Sequence, residues 1–471
     1  MAENFVYPVK KGHDYTVSIE RLAFGGKGIA RVDNYVLFVA RALPGDVCRV
    51  RITKRKRQFG EARILEIESP SPMRRQAPCT YFDWCGGCTW QNMDYTHQLE
   101  QKTAIVREAL RHPYDLGDVN VEDIIPADPH WGYRNKMEFS FADRKWLTPE
   151  DLSNPEISKD FALGLHVPGT FDKILDIDHC MLQSAEMNRV LNEVDNWSRE
   201  KKLQPYGIRS HEGLLRFLVL RQSRSTGAIM VNIVTSRPAG EELMPLAEHL
   251  IRHIPQVAGV VNNVNARKAQ IARGDQEILL AGQPVITDAI GPFEFEISAN
   301  SFFQTNTLQA ARLYETALAF AGLTGTETVW DLYCGAGTIT LFLARKARKV
   351  VGFEIEESSI RDARANARRY DIRHVEWLAG DVRQHMARLQ EQPDVLVTDP
   401  PRAGMHADVV QSILEARPRR IVYVSCNPAT LARDLHLLKE KYTIRRVQPV
   451  DMFPQTYHIE TVAQLDLTDH A

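Results

Sequence analysis

The pattern of hydrophobic and polar residues changes along the chain, and after Ser301 short apolar runs alternate with longer stretches of helical period. The short runs are rich in β-branched residues, which favours buried strands. Strands that alternate with helices predict a doubly wound, largely parallel α/β sheet over 301–471. The predicted elements are a helix at Thr307–Ala321 and strands at Thr328–Tyr333, Val350–Ile355, Val375–Leu378, Asp394–Thr398 and Ile421–Ser425.

The beginning of the chain has an all-β pattern, in which turn residues such as Gly25-Gly26 and Pro44-Gly45 separate short β-rich runs. Many short strands in so few residues predict a small closed β-barrel of the oligonucleotide-binding (OB) type over 1–70. Pro70-Ser71-Pro72 then interrupts the pattern and indicates a linker. The predicted strands are Tyr15–Ile19, Tyr35–Val39, Val47–Ile52 and Ala62–Glu68.

The region 71–300 mixes both patterns and predicts a central α+β domain. A helix is indicated over His97–His112, where Leu99 and Val106 recur on one face and Pro113 follows the last turn. The other predicted elements are a helix near Ser184–Lys201 and strands at Lys136–Phe141, Phe217–Arg221, Ala228–Val234 and Gly259–Asn265.

The composition of the 471-residue chain is that of an ordinary soluble multidomain protein, with 44% hydrophobic and 25% charged residues and a formal net charge of -2. The charge is unevenly distributed, because Lys10–Arg75 holds fifteen Lys and Arg but seven Asp and Glu. Within this region the basic run Lys54–Arg57, followed by Phe59, fits a phosphate-contacting loop with an adjacent stacking ring. A solvated hairpin face is the competing interpretation of the same run.

The start of the sequence, MAENFVYPVKKG, lacks the apolar segment of a secretory signal, and no apolar run reaches membrane-spanning length. The seven Cys are an odd number and cluster locally. That usage indicates metal binding or catalysis in a reducing compartment and not a disulfide framework. We therefore expect a cytoplasmic protein that does not bind membranes, and we infer no obligate protein partner.

Three of the cysteines form the run Cys79-x5-Cys85-Gly-Gly-Cys88, which has aromatic neighbours on both sides. A set of four Cys ligands suits either a zinc ion or an iron–sulfur cluster. The five-residue gap in this run is wider than typical zinc-ribbon spacing. Cys48 and Cys334 lie in apolar surroundings, and we expect them to be packing residues.

Chemically active residues follow the predicted strands, at the end where open α/β sheets keep their ligand crevice. Cys426 follows the strand Ile421–Ser425 and is either a nucleophile or a small buried side chain. Two prolines after Asp399 fix its carboxylate at the rim of the sheet. The convergence of five strand ends predicts an active site, and the residues at these ends are Tyr333, Glu354, Asp381, Asp399 and Cys426.

The first of these strands leads into a glycine-rich turn, Asp331-Leu-Tyr-Cys-Gly-Ala-Gly337, which lets a ligand approach the backbone at a helix N-terminus. Glu354 lies about twenty residues further on, at the spacing of an acid that binds a ribose hydroxyl pair. A plain surface charge is the competing interpretation of Glu354. The combination favours an adenosine cofactor without a pyrophosphate, and therefore S-adenosylmethionine over a dinucleotide. Asp381 is placed to reach the adenine.

Together these motifs resemble the RNA (uracil-5-)-methyltransferase family, in particular the bacterial members that make 5-methyluridine in large-subunit (23S) ribosomal RNA. The resemblance covers nearly the whole chain, since Tyr15–Glu68 resembles a TRAM domain and the cysteine run matches the family's iron–sulfur site. The motifs that carry it are Phe302-Phe303-Gln304-Thr305-Asn306, Asp331 to Gly337, Asp399-Pro400-Pro401-Arg402, Ser425-Cys426-Asn427-Pro428 and His458-Ile459-Glu460.

The resemblance implies S-adenosylmethionine-dependent methylation of C5 of a uridine in RNA. It implies that Cys426 is the nucleophile that adds to C6, that Glu460 is the general base, and that Asp399 lies close to the target base. It implies that the helix His97–His112 packs on the catalytic domain. The implied cofactor contacts are Gln304, Tyr333, Glu354 and Asp399, with Thr338 and Asp381 as further candidates.

The resemblance also implies a [4Fe-4S] cluster and a three-part organisation. The cluster ligands would be Cys79, Cys85, Cys88 and Cys180. The implied domains are an RNA-binding TRAM domain at 1–70, a central iron–sulfur domain at 71–300 and a Rossmann-like methyltransferase domain at 301–471.

Three alternatives stay open. The RNA substrate is expected to be 23S ribosomal RNA, with transfer RNA as the alternative for the same chemistry. Asp399-Pro400-Pro401 also resembles the motif of enzymes that methylate an amino group on a base, for which Cys426 is dispensable. A non-catalytic RNA-binding protein is the third alternative, and the complete set of catalytic residues speaks against it.

Overall fold

The computed structural model describes residues 7–389 and 391–468. The chain divides into two compact units, and separate stretches of sequence contribute to each. The division predicted from the sequence, into 1–70, 71–300 and 301–471, stays a prediction. Unit 1 comprises Met1–Gln76, Asn92–Ala127 and Gln309–Ala471, and unit 2 comprises Ala77–Gln91 and Asp128–Leu308.

The first stretch of unit 1 folds into six strands, β1 (Asp14–Ser18), β2 (Arg21–Leu22), β3 (Gly28–Val32), β4 (Tyr35–Ala40), β5 (Val47–Arg55) and β6 (Phe59–Ser69). They form one sheet in the order β1-β5-β6-β4-β3-β2. Along β4 the buried positions are Tyr35, Leu37 and Val39, which is the period of two that a half-buried strand requires.

The predicted linker at Pro70-Ser71-Pro72 is wrong, because this segment packs against the connection between β4 and β5. Ser71 is buried, and its backbone N–H donates to Asp46 Oδ1 at 2.8 Å. The fully buried Asp46 carboxylate also accepts from the backbone N–H of Leu43 at 2.7 Å and pairs with Arg74. A buried carboxylate is stable only when its oxygens are bonded in this way, and here the bonds hold the proline-rich segment in place.

The second stretch of unit 1 contains the helix α1 (Tyr95–Arg111), close to the predicted bounds His97–His112. The chain then passes through unit 2, whose helices are α2 (Pro149–Ser153), α3 (Ala185–Glu200) and α4 (Gly240–His253). The strands of unit 2 are β7 (Lys136–Ala142), β8 (Ala162–His166), β9 (Ile174–Asp176), β10 (Leu215–Gln222), β11 (Ile229–Thr235), β12 (Val257–Val264), β13 (Gln276–Gly282), β14 (Val285–Ile290) and β15 (Phe293–Ser298).

A seven-stranded sheet in the order β13-β12-β11-β10-β7-β8-β9 forms the centre of unit 2, and β14 pairs with β15 in a separate hairpin. The middle strands read as continuous apolar runs because both faces are covered; every residue of β11 is buried. Side chains from α3 and α4, including Val190, Leu191 and Leu246, complete this core.

The last stretch of the chain has the alternating order that the sequence predicted. Its helices are α5 (Thr307–Ala321), α6 (Thr338–Ala344), α7 (Glu357–Arg369), α8 (Val382–Met386), α9 (Ala407–Ala416) and α10 (Pro428–Leu438). Its strands are β16 (Thr328–Leu332), β17 (Lys349–Glu354), β18 (Val375–Ala379), β19 (Val395–Thr398), β20 (Arg420–Ser425), β21 (Tyr442–Val450) and β22 (Glu460–Leu467).

These strands form one sheet in the order β18-β17-β16-β19-β20-β22-β21. The first five are parallel, whereas β22 runs antiparallel to both of its neighbours. α1 packs against α10 and β21 within unit 1, far from its own position in the sequence. Among the described helices, none has both the length and the apolar composition that crossing a membrane requires.

Candidate active site

The carboxyl ends of the parallel strands meet at one edge of the C-terminal sheet. β16 and β19 are neighbours there although β17 and β18 lie between them in the chain, so the strand order reverses at this point. Open α/β sheets bind their ligands at such a reversal. Tyr333 follows β16, Asp399 follows β19 and Cys426 follows β20, so the structure brings these three predicted residues to adjacent strand ends.

The antiparallel strand β22 brings an acid to Cys426. Ser425 at the end of β20 pairs with Thr461 of β22. Because the two strands are antiparallel, Cys426, which follows Ser425, faces Glu460, which precedes Thr461. The Thr461 hydroxyl donates to the Ser425 carbonyl at 3.0 Å and thereby fixes the register.

The surroundings of Cys426 disfavour its thiolate. Burial raises the pKa of the half-buried thiol to about 11, and the carboxylates of Glu460 and Asp399 act in the same direction. The positive charge of Arg402 lowers the pKa. Since the thiolate is the form that attacks, Arg402 is placed to promote nucleophilic reactivity.

The two carboxyl groups beside Cys426 are also shifted. Burial raises the pKa of Asp399 to about 7. Burial, with the nearby Asp399 as a second cause, raises the pKa of Glu460 well above its ordinary value. A carboxylate with a raised pKa is a stronger base than an exposed one, so burial strengthens Glu460 as a proton acceptor.

Arg402 is held by contacts that the sequence analysis did not identify. Its carbonyl accepts from Asn427 Nδ2 at 3.2 Å, which ties the turn after Asp399 to the turn after Cys426. Its guanidinium donates to the Tyr457 hydroxyl at 3.3 Å. Tyr457 in turn stacks on His458, with ring centroids 4.2 Å apart. The position of Arg402 directly after the proline turn is the feature of the sequence that could have placed its guanidinium near Cys426.

The glycine-rich turn after β16 is fixed by Glu354. One carboxylate oxygen of Glu354 accepts from the backbone N–H of Gly335 at 3.0 Å, and the other accepts from that of Glu356 at 2.9 Å. At Gly337 the φ of +80° and the Trp377 ring, 2.6 Å from where a Cβ would stand, both exclude a side chain. The non-glycine Tyr333 also has a positive φ, of 62°, so the turn carries strain next to the site.

Two further predicted residues have local partners of their own. Asp381 is the N-cap of α8, where it accepts from the backbone N–H of Arg383 at 3.0 Å and pairs with its guanidinium. The side-chain hydrogen bonds of Arg383 lower the pKa of Asp381 to about 2. Thr338 begins α6, and its hydroxyl donates to the Tyr314 hydroxyl at 3.4 Å.

Gln304 belongs to unit 2, whereas the strand-end residues belong to unit 1. Its segment is held from within unit 2 by Asn135, whose amide donates to the Gln304 carbonyl at 2.8 Å and to Thr307 Oγ1 at 2.7 Å. Phe302, two residues before Gln304, is 81% exposed.

The four predicted cluster ligands line one cavity of about 220 Å³ in unit 2, together with Arg134 and Gln91. Burial raises the pKa of Cys88 to about 12, with the neighbouring Cys180 and Cys85 as further causes. Gly86 has no room for a side chain, because a Cβ would stand 2.7 Å from the His166 carbonyl oxygen. No three His, Cys, Asp or Glu side chains among the described residues converge closely enough to hold a single metal ion.

The set of thiols fits the implied cluster in its chemistry. All four cysteines are free and at least half-buried, and their cavity brings four soft ligands together. The backbone N–H of Gly87 donates to Cys85 Sγ at 3.3 Å, the kind of bond that stabilises a thiolate ligand. Cys48 and Cys334 are buried, as expected of packing residues.

Two family models and several RNA methyltransferases match this chain. A family model described as tRNA (Uracil-5-)-methyltransferase matches residues 223–467, and a TRAM domain model matches residues 8–65. An uncharacterised RNA methyltransferase of Chlorobaculum tepidum is 43% identical over 89% of this chain and 89% of its own length. One of Halalkalibacterium halodurans is 41% identical over 98% of each chain.

Among solved structures, the chain is similar to the Pyrococcus abyssi tRNA (uracil-54, C5)-methyltransferase, which was solved in complex with S-adenosyl-L-homocysteine. The two are 28% identical, with a TM-score of 0.74, over 96% of this chain and 100% of the archaeal one. The family model covers more than half of the chain, and the bacterial relatives cover most of it. This protein therefore belongs to the tRNA (uracil-5-)-methyltransferase family, as an RNA methyltransferase with an N-terminal TRAM domain.

Proposed function

We propose that this protein methylates C5 of a uridine in RNA, with S-adenosylmethionine as the methyl donor. The observation that carries the proposal is the register of β22 on β20, which sets Glu460 beside Cys426 at the reversal of strand order. A nucleophile and a base so placed are what substitution at a uracil carbon requires.

The chemistry needs both residues because C5 of uracil is a poor nucleophile. Bound S-adenosylmethionine supplies the methyl group as an activated sulfonium. The thiolate of Cys426 adds to C6, which moves an electron pair to the ring as an enolate and makes C5 nucleophilic. After C5 has gained the methyl group, Glu460 takes the C5 proton, the C6–S bond breaks and Cys426 leaves as the thiolate. Arg402 stabilises that thiolate at the beginning and at the end.

The cofactor would be held at the glycine-rich turn and along the neighbouring strand ends. Glu354 already fixes this turn through two backbone N–H groups, and a carboxylate has further lone pairs for ribose hydroxyls. The residues that we propose to bind it are Gln304, Tyr333, Glu354 and Asp399, with Asp381 and Thr338 as further candidates.

We also propose that Cys79, Cys85, Cys88 and Cys180 hold a [4Fe-4S] cluster with a structural role. The support is that the four thiols line one cavity. Among the residues that line this cavity, the acidic side chain is that of Glu138, which is half-exposed. Protein purified without oxygen is expected to be brown with about four irons per chain, and Cys180→Ser is expected to lose them. Colourless protein with stoichiometric zinc would show that the site holds a different metal.

The substrate is the part of the proposal with a real alternative. We favour 23S ribosomal RNA, because the sequence motifs resemble those of the bacterial members that methylate it. Transfer RNA is the second candidate, because the family model and the archaeal structure are both named for it. The deciding experiment is mass mapping of methylated uridines in total RNA from cells with and without the gene. Loss of one 5-methyluridine from 23S ribosomal RNA supports the first candidate, and loss from transfer RNA supports the second.

The chemistry is tested by two variants of the site. Cys426→Ala is expected to abolish methyl transfer and to form no covalent adduct with RNA, because the enolate cannot form. Glu460→Gln is expected to permit attack and methyl transfer but to stall at proton removal, so methylated RNA stays bonded to Cys426. Normal turnover of Cys426→Ala would favour amino-group methylation, and failure of the protein to bind S-adenosylmethionine would favour a non-catalytic RNA-binding role.

A further inference from the structure

One face of α1 carries polar side chains where a packed helix normally has apolar ones. Tyr95, Gln98 and Lys102 recur at the spacing of neighbours on one helical face. Gln98 and Lys102 are completely buried. All three bond to the segment Asp451–Ile459, which connects β21 to β22 and which we name the β21–β22 loop.

The first contact is a buried ion pair. Lys102 Nζ lies 2.5 Å from Asp451 Oδ1, and neither side chain is exposed to solvent. The same Nζ donates to the Phe453 carbonyl at 3.0 Å, and the Tyr95 hydroxyl donates to Asp451 Oδ2 at 2.7 Å. Desolvating two charges is costly, so such a pair contributes little net stability, and its value lies in fixing one geometry.

The second contact holds a strained backbone. Gln455 has a φ of 67°, in the left-handed region that a non-glycine residue rarely adopts. Gln98 binds it twice, because its Oε1 accepts from the Gln455 backbone N–H at 3.0 Å and its Nε2 donates to Gln455 Oε1 at 2.9 Å. Strain of this kind persists only where the surroundings impose it.

The loop that α1 fixes leads directly to the catalytic residues. Asp451 follows the last residue of β21, and Ile459 at the other end of the loop precedes Glu460, which pairs with Val450 across the two strands. Between these ends the loop carries Tyr457, whose hydroxyl accepts from the Arg402 guanidinium. A displacement of the loop would therefore move Glu460, whereas the backbone of Arg402 stays bonded to Asn427, which lies outside the loop.

We propose that Tyr95, Gln98 and Lys102 are positioning residues for catalysis: α1 sets the β21–β22 loop so that Glu460 reaches the C5 proton. This inference rests on the proposed function. It differs from a role in stability alone, since it assigns to α1 an effect on one step of the reaction, the proton removal that releases Cys426.

The main variant for the test is Gln98→Leu, which keeps the buried volume but removes both bonds to Gln455. Thr103→Val is the matched control, because Thr103 is also buried on α1 but its hydroxyl bonds to Leu99 in its own helix. The paired change Lys102→Met with Asp451→Leu, which removes both buried charges together, serves as the second variant if Gln98→Leu does not fold.

The measurements separate attack from release at saturating RNA. RNA with fluorine at the target C5 reports the rate of adduct formation, and ordinary RNA in a single turnover reports the rate at which the methylated adduct breaks down. Gln98→Leu is expected to slow breakdown roughly tenfold to a hundredfold, as small misplacements of catalytic groups do, with adduct formation changed less than about threefold. Thr103→Val is expected to match the unmutated protein in both rates.

The Glu460→Gln background gives the sharpest outcome, because no further slowing is expected when Gln98→Leu is added to it. Equal loss of both rates, or unchanged breakdown in the folded variants, would overturn the inference while leaving the proposed function in place. If the unmutated protein forms no adduct with the fluorinated RNA, the proposed function itself fails, and the inference fails with it.

Discussion

At the scale of single residues, Cys426, the proposed nucleophile, lies in surroundings that oppose its ionisation. Burial and two carboxylates raise its pKa to about 11, and Arg402 is the group that acts against them. Below the pKa of a thiol, the fraction present as thiolate rises tenfold with each pH unit. A substitution at Arg402 that shifts the pKa of Cys426 therefore changes the rate of attack at every pH below about 11.

Replacing Arg402 should therefore slow the first step. In Arg402→Met the pKa of Cys426 is expected to rise further, so adduct formation with fluorinated RNA should fall about tenfold at pH 8 and its pH profile should shift upward. Arg402→Lys keeps the charge and should lose less. Arg445→Met, which removes a cation on β21 that pairs with Asp466 of β22, is the control. An unshifted profile in Arg402→Met would show that this charge does not act on Cys426.

Asp331 gives a stability prediction of known sign. Burial raises its pKa to about 7 from an ordinary value of 3.8, with Asp399 and Glu354 as weaker causes and the Thr340 hydroxyl acting in the opposite direction. The folded state thus binds this proton more tightly than the unfolded state. The free energy of unfolding therefore falls as pH rises from about 4 to about 7, and this contribution does not change further above pH 7.

Asp331→Asn removes this titration. The free energy of unfolding of the variant, relative to the unmutated protein, is expected to grow by roughly 1–3 kcal/mol between pH 5 and pH 8. Urea unfolding at several pH values measures the difference, and comparing two pH values cancels any constant effect of the amide on the bond with Thr340. A difference that does not change with pH would show that the pKa of Asp331 is not raised in the folded protein.

At the scale of elements, the sequence predicted what local pattern determines. The strands that end at Tyr333, Glu354, Asp399 and Cys426 were placed within a residue or two, because buried parallel strands are continuous apolar runs. The antiparallel course of β22 was not predicted from pattern. The role of Glu460 came from the resemblance alone, since no periodicity tells which strand will lie beside β20.

The element α8 separates two roles for Asp381. As the N-cap, its carboxylate accepts from the backbone N–H of Arg383, and Asn serves almost as well as Asp in that position. Asp381→Ala is expected to reduce the free energy of unfolding by about 1 kcal/mol, and Asp381→Asn by a few tenths at most. Urea unfolding tests the cap. Binding of S-adenosylhomocysteine to Asp381→Asn tests the cofactor role, since a weaker affinity without a stability change assigns the residue to the cofactor.

At the scale of the whole molecule, the structure departs from what local pattern can predict. Unit 1 joins early and late stretches of the chain, and the bond between Lys102 and Asp451 spans 349 positions of sequence. In the sequence Lys102 is one more charged residue in a helix, and its complete burial follows only from the packing of α1 on the C-terminal sheet. The proline-rich segment at Ser71 was misread for a similar reason, because its partner Asp46 lies 25 positions away.

The division of labour in the whole molecule leads to the last prediction. We expect the basic run Lys54–Arg57 to supply RNA affinity, and the strand-end residues to supply the chemistry. The four charged side chains of this run differ in their partners. Lys54 pairs with Glu61 at 3.1 Å, and the Arg55 guanidinium lies 4.0 Å from the centroid of the Tyr7 ring. Lys56 and Arg57 are exposed at the turn between β5 and β6.

Replacing Lys56 and Arg57 with Ala should lower RNA affinity and reduce the slope of log affinity against log salt by about 1–2. The reason is that a protein with fewer phosphate contacts releases fewer counterions from the RNA when it binds. Lys54→Ala should reduce the slope by less, since Glu61 already offsets its charge. Turnover at saturating RNA should stay within about twofold, because none of the contacts described for this run involves a proposed catalytic residue. Replacing the exposed pair Lys201 and Lys202 is the control for charge alone. If the salt slope is equal in all these proteins, the run is a solvated hairpin face and RNA affinity arises elsewhere on the surface.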